Sequence, residues 1–363
     1  MKVSFPNLGN SYLAAKALFD DLGIQYVIPQ PSNKSCLELG SLHSPEEICL
    51  PFKIMLGSYM QAIKEGADTI IITGSCGPCR YGEYCELQMN ILKKLGYKLD
   101  LVVIDSPFDI GTKEFLNRIF KISNKSCKNS FAKVKALQNA CKVINLIDDI
   151  EATLRYRAGY EKHHGDCKRL LKDCKTHALK AKSGNEMIAI LKQYSKMIEN
   201  IEVDKSKQPI KIAIIGEIYA ILEPFTNLYI EDKLMDLGVS TWRGLYPSWW
   251  LKNTLLTKLK LNSMDIRKAS KEYLPYYIGG HGRECIGEAV LAHKEGFHGA
   301  IQIFPFGCMP EIVSKSILPT ISKDKDFPIM TLVVDELTGE AGYMTRIEAF
   351  LDLIDRRNRK CSI

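Results

Sequence analysis

Thr69-Ile70-Ile71-Ile72-Thr73-Gly74-Ser75-Cys76-Gly77-Pro78-Cys79-Arg80-Tyr81-Gly82-Glu83 begins as a β-branched apolar run, breaks into a loop of glycine and cysteine, and leads into a helical pattern. The run 69–73 suits a strand buried on both faces, as in parallel sheets. The helix expected at 83–95 stops at Gly96, because glycine takes the left-handed conformation that ends a helix without a Cβ clash. A strand at 101–104 follows. Strand, loop, helix and strand in this order are the repeating unit of an open doubly wound sheet.

The same alternation extends outward. On the N-terminal side it gives a strand at 2–5, the turn Pro6-Asn7-Leu8-Gly9-Asn10, a helix at 12–22 closed by Gly23, a strand at 26–29 and a helix at 51–65 stopped by Gly66. On the C-terminal side it pauses over 111–207, which is Lys-rich, poor in strand patterns and helical in period, as at 152–156 and 187–198. The stretch Val203-Asp204-Lys205-Ser206-Lys207-Gln208-Pro209 marks a boundary. Beyond it come a strand at 210–215, a helix at 227–237 with Gly238, a stretch holding Trp242, Trp249 and Trp250, a helix at 284–295, a strand at 300–304, a helix at 311–318, a strand at 329–334 and a helix at 345–356. The expected fold is α/β, with two Rossmann-like lobes of parallel sheet, 1–110 and 208–363, joined through a helical basic connector, 111–207.

A chain of 363 residues with 46% hydrophobic and 25% charged residues can bury two or three cores and is not disordered as a whole. No run approaches the roughly eighteen apolar residues of a membrane helix. Met1-Lys2-Val3-Ser4-Phe5-Pro6 has no signal-peptide hydrophobic region. The expectation is a cytoplasmic protein without membrane contact. In that compartment the twelve cysteines are reduced thiols. Metal or redox use is the leading reading, with about half of them packing as small hydrophobes. The formal charge of +7 is uneven, since 111–200 carries 19 Lys and Arg against 9 Asp and Glu. The aromatic interleaving that stacks nucleic-acid bases is absent there, so a solvated helical face is preferred and no nucleic-acid partner is expected. A polyanionic ligand such as a coenzyme A tail, or an acidic protein partner, also fits.

Three tripeptides share one form: Cys49-Leu50-Pro51, Cys76-Gly77-Pro78 and Cys308-Met309-Pro310. Proline is favoured in the first turn of a helix, so each cysteine is expected just ahead of a helix start. There the positive end of the helix dipole stabilises a thiolate. Cys79 and Arg80 add a further thiol and a fixed cation. Cys76-x-x-Cys79 alone is compatible with a zinc half-site or a redox pair. A zinc ribbon needs a second such pair, which the sequence lacks, and the closely spaced cysteines of a bacterial ferredoxin are absent too. A cluster assembled from distant cysteines of both lobes remains.

Over nearly its full length the chain resembles the proteins related to 2-hydroxyacyl-CoA dehydratase components and their activators, which include double-cubane cluster proteins. The resemblance rests on seven blocks in order: Phe5-Pro6-Asn7-Leu8-Gly9-Asn10; Ser44-Pro45-Glu46 through Cys49-Leu50-Pro51-Phe52-Lys53; Cys76-Gly77-Pro78-Cys79-Arg80-Tyr81-Gly82-Glu83-Tyr84; Gly216-Glu217-Ile218-Tyr219; Gly279-Gly280-His281-Gly282; Pro305-Phe306-Gly307-Cys308-Met309-Pro310-Glu311; and Asp335-Glu336 leading to Thr345-Arg346, Glu348, Ala349 and Phe350. It implies an iron–sulfur cluster held between two Rossmann-like lobes, of four-iron–four-sulfur type or a double cubane, reduced by a separate ATP-hydrolysing activator. A homodimer is implied as well. Cys49, Cys79 and Cys308 are the three thiolates that the resemblance supports, and Cys76 is the natural fourth. A double cubane needs about six thiolates, for which Cys285 with Cys36 or Cys85 would be recruited.

Arg80 and Arg346 are candidates to neutralise the cluster or grip a carboxylate or phosphate. Glu217, after the strand 210–215, and His281, in a glycine-rich turn, stand where an active-site acid or proton donor is expected. The segment His163-His164-x-x-Cys167 through Cys174-x-x-His177 has zinc-type side chains but reads better as exposed helix. The expected function is an iron–sulfur reductase-type component that passes low-potential electrons to a small substrate or a dehydratase partner. A non-catalytic iron–sulfur carrier or assembly factor is the alternative, and a structural zinc protein a third. No phosphate-binding loop of the ATPase type occurs in the sequence, so the activator is expected to be another chain.

Overall fold

The computed structural model describes residues 1–74, 79–105, 110–256 and 263–361. Two four-stranded sheets carry the fold, both wholly parallel in the pairings described. In the first, β1 (Lys2–Ser4) lies between β2 (Gln25–Tyr26) and β3 (Thr69–Thr73), and β4 (Asp100–Ile104) pairs beyond β3, with Val3 opposite Tyr26 and Thr69, and Ile71 opposite Val102. In the second, β5 (Lys211–Gly216) lies between β6 (Ser240–Arg243) and β7 (Gly299–Pro305), with β8 (Ile329–Val334) beyond β7. Ile214 faces Arg243 and Ile301 across that sheet. The strand orders 2-1-3-4 and 6-5-7-8 are one topology used twice, so the expected α/β fold of two Rossmann-like lobes is observed.

The chain divides into two compact units. One is Met1–Asp149 with Asp173–Ser195 and Pro247–Asn262, and the other is Ile150–Lys172 with Lys196–Tyr246 and Ser263–Ile363. The Lys-rich stretch 111–207 is helical as expected, forming the helices Thr112–Ser123, Ser130–Arg157, Asp166–Lys180 and Gly184–Met197. Its residues are shared between the two units.

In the first unit Val3, Phe5, Phe19, Leu22, Ile24 and Val102 form a core that Ile122 and Ala136 join from the helical stretch. In the second, Ala213, Ile215, Ala300, Cys285, Ile286, Leu318 and Ile321 pack together. All seven residues of β7 are buried, which is why this strand reads as apolar on both faces apart from Gln302. The expected glycine stops are real: Gly23 and Gly96 have φ of 66° and 83°, in the left-handed region open to glycine.

Several elements depart from the sequence pattern for identifiable reasons. The helix Met309–Asp324 was expected to end at Leu318 but runs through Pro319. A proline inside a helix costs about 3 kcal/mol. Ile321, in the turn beyond it, is fully buried, which contributes about 1.5–3 kcal/mol in the opposite direction. β6 was not expected as a strand because Arg243 interrupts its apolar pattern. Arg243 is instead buried in an ion network: it binds Glu231, and Arg155 reaches Glu151 and Asp232 at 2.9 Å each. Buried charges persist only when paired in this way.

The helix carrying Cys49 is placed by an unusually close crossing. Lys34–His43 and Leu50–Lys64 meet at Gly40 and Gly57, where an added Cβ would come 1.7 Å from the Lys53 carbonyl oxygen and 1.8 Å from that of Cys36. Only glycine permits backbones to approach so nearly. No helix among the described residues is long and apolar enough to cross a membrane.

Candidate functional site

In open α/β sheets ligands gather beyond the carboxyl ends of the strands, where the strand order reverses. In the first unit this point lies between β1 and β3. Cys79 follows β3 and opens the 3-10 turn Arg80–Glu83, which runs directly into the helix Tyr84–Lys94. Cys49 is the N-cap of Leu50–Lys64, with Pro51 in the first turn, and its own side chain does not cap the helix. The Cys49 Sγ lies 2.5 Å from the Tyr84 hydroxyl. Tyr84 in turn packs edge-on against Phe52 and beside Tyr81, each at 5.1 Å. Arg80 donates to the Glu47 carbonyl at 3.1 Å, which ties the Cys79 turn to the loop before Cys49. Cys76 falls outside the described residues.

In the second unit the corresponding point lies between β5 and β7. Cys308 is the N-cap of Met309–Asp324, with Pro310 in the first turn. The expectation drawn from the Cys-x-Pro pattern therefore holds for both Cys49 and Cys308. Each is buried, at 8% exposure. The surface around Cys308 is apolar: Phe306, Met309 and Ile312 are exposed on its own turn and helix, and Leu337 beyond β8 is 88% exposed. Phe306 N–H donates to the Val334 carbonyl, which joins the loops that follow β7 and β8.

Glu217 follows β5, as expected, and its carboxylate accepts from the N–H groups of Tyr219 and Ala220 at 3.1 and 2.8 Å. Burial pushes it above the usual carboxylate range against those two donors. Gly216, just before it, has φ of 129° and no room for a Cβ against the Ile303 carbonyl. His281 is the N-cap of Gly282–Lys294, and burial lowers its pKa against the pull of Glu284. Arg346 donates to the Thr331 carbonyl at 2.6 Å. Cys285 lies in the apolar core, where burial and the neighbouring Glu311 push its thiol well up.

The sequence patterns did not disclose a set of buried acids beside Cys285. Glu284, Glu288 and Glu311 are at most 4% exposed. Gln302, inside β7, binds the Glu311 carboxylate at 2.8 Å and accepts from Thr331. Burial pushes Glu311 up to about 7, opposed by Gln302. The available signal was the i, i+4 pair of acids on an otherwise apolar helix face. Tyr84 lies 35 residues from Cys49 in the chain, so their contact needs the fold.

Among the described residues no group of three or more His, Cys, Asp and Glu side chains is drawn together to hold a metal ion. The chemistry of the individual donors nevertheless suits thiolate ligation. Cys49, Cys79 and Cys308 each stand ahead of a helical turn whose first N–H groups and dipole favour anionic sulfur. The other cysteines have different surroundings. Cys36 binds the Ile54 carbonyl and the Ser58 hydroxyl at the helix crossing. Burial pushes Cys85 up to about 11 and Cys174 up to about 12. His177 is engaged by the Tyr194 hydroxyl and the Asp173 carbonyl, and His164 by the Asp236 carbonyl.

Residues 7–243 match the CoA enzyme activase uncharacterised domain (DUF2229). The chain belongs to this family. No match was found among curated proteins. The span of the activase-related domain takes in Cys49, Cys79 and Glu217 and ends at β6, before His281, Cys308 and Arg346.

Proposed function

We propose that the chain is an iron–sulfur component of CoA-ester metabolism, with Cys49, Cys79 and Cys308 as thiolate ligands of a four-iron–four-sulfur cluster and Cys76 as the candidate fourth. In this reading it accepts low-potential electrons from an ATP-hydrolysing activator protein and delivers them to a small substrate or a dehydratase partner. Such a cluster, when bound, stores and releases one electron at low potential. The observation that carries the reading is the position shared by the three cysteines, each at the N-cap of a helical turn. Family membership links the chain to CoA-enzyme activation.

The residues around these thiols have roles that the reading uses. Tyr84 is within hydrogen-bonding distance of Cys49 and orients its sulfur. Arg80 holds a positive charge beside Cys79, where it offsets thiolate charge. Phe306, Met309 and Ile312 present an exposed apolar surface on the turn around Cys308 and the helix that it opens, where an apolar partner or substrate could settle. Cys36, Cys85 and Cys285 are committed to packing and hydrogen bonds, which favours a single cluster over a double cubane.

Anaerobic purification, followed by iron and acid-labile sulfide analysis and electron paramagnetic resonance of the reduced protein, tests the proposal. Cys308→Ala is expected to abolish the signal, and Cys167→Ala to leave it unchanged. Zinc without iron or sulfide, or the opposite pattern in the two variants, overturns it. A spectral change on adding a 2-hydroxyacyl-CoA ester separates a catalytic component from a carrier.

A further inference from the structure

The helix Ser130–Arg157 is apolar on two sides. Ala136, Ala140, Val143, Ile144 and Ile147 are buried. Phe131, Val134 and Leu137 face solvent at 79, 56 and 58% exposure. Their i, i+3, i+6 spacing places them along one stripe roughly 9 Å long. The preceding helix, Thr112–Ser123, adds exposed Leu116 and Phe120, and both helices lean on the same core through Ile122 and Ala136. Large apolar side chains grouped in this way on a surface mark an interaction site.

The charge around the stripe identifies what fits it. Residues 111–142 hold eight Lys and Arg against one acid, Glu114. That acid already binds Arg118 at 2.9 Å. Lys128, Lys135 and Lys142 are exposed. A second copy of this chain would bring the same lysines face to face, and like charges across an interface repel. A nucleic-acid backbone would satisfy the lysines but leave the apolar stripe uncovered. Membrane binding scales with apolar area, and five side chains divided between two helices offer little.

We propose that this face docks an acidic protein partner through an amphipathic helix, whose apolar residues cover Phe131, Val134 and Leu137 and whose carboxylates meet the flanking lysines. Phe131, Val134 and Leu137 recur at the helical spacing through which helices engage one another. The inference stands on this surface alone and needs no cluster in the protein.

The probe is a synthetic helical peptide with leucine at the a and d positions of its heptads and glutamate at e and g. Its binding to the full chain is read by fluorescence anisotropy. A Phe131→Ser/Val134→Ser variant, with unchanged circular dichroism, is expected to bind about tenfold more weakly. Lys128→Glu/Lys135→Glu is expected to weaken binding and flatten its salt dependence. Binding as tight as that of the wild-type chain by either variant, or equal binding of a peptide with lysine at e and g, overturns the proposal. So does sedimentation showing a dimer that the serine variant dissociates, or phosphatidylserine vesicles that retain the wild-type chain but not that variant.

Discussion

Glu311 shows how much a single buried group can couple to pH. Its carboxyl is fully buried beside Gln302 and Cys285, and burial raises it from 4.5 to about 7. The unfolded chain releases this proton at lower pH than the folded chain does. Stability from this group is therefore fully present below about pH 4.5, declines as pH rises, and is lost once pH passes about 7. A displacement of this size corresponds to roughly 3 kcal/mol. Glu311→Gln keeps a polar partner for Gln302 and removes the titration. It is expected to flatten the fall in stability between pH 5 and pH 8, as measured by urea unfolding at both values. An identical pH slope in wild type and variant would show that other buried acids, Glu288 first, carry the dependence. None of this is visible in the sequence, where Glu311 reads as an ordinary first-turn helix acid.

At the scale of elements, the helices Lys34–His43 and Leu50–Lys64 depend on the absence of two Cβ atoms. Gly57→Ala would set a methyl group against the Cys36 carbonyl, so the helices must separate. Overpacking of this kind costs about 1–3 kcal/mol. The expected result is a denaturation midpoint lowered accordingly, whereas Gly339→Ala, which meets no atom within 4 Å, should change little. Equal stability of the two variants would contradict the tight crossing. Because the second helix begins at Cys49, Gly57→Ala should also lower iron content if that thiol is a ligand. The helix Lys34–His43 was not anticipated from its pattern, and neither were Pro247–Leu256 and β6. Elements this short span too few turns or pleats to show a clear period, and packing decides them.

At the scale of the whole molecule, a group bound by native thiolates and not by the unfolded chain stabilises the folded state. Anaerobic protein loaded with iron and sulfide is therefore expected to unfold at a higher temperature than the same protein after chelation. Scanning calorimetry under argon reads the difference, and coincident transitions would argue that nothing specific is held. The sequence by itself determined the alternation of strands and helices, the glycine stops and the N-cap positions of Cys49 and Cys308, because backbone conformation and local capping are set by neighbouring residues. Only the tertiary structure decided that 111–207 is shared between two units, that Cys285 lies in a core beside buried acids, and that Tyr84 meets Cys49. Those outcomes depend on which surfaces bury one another, and residues far apart in the chain reveal that only when it folds.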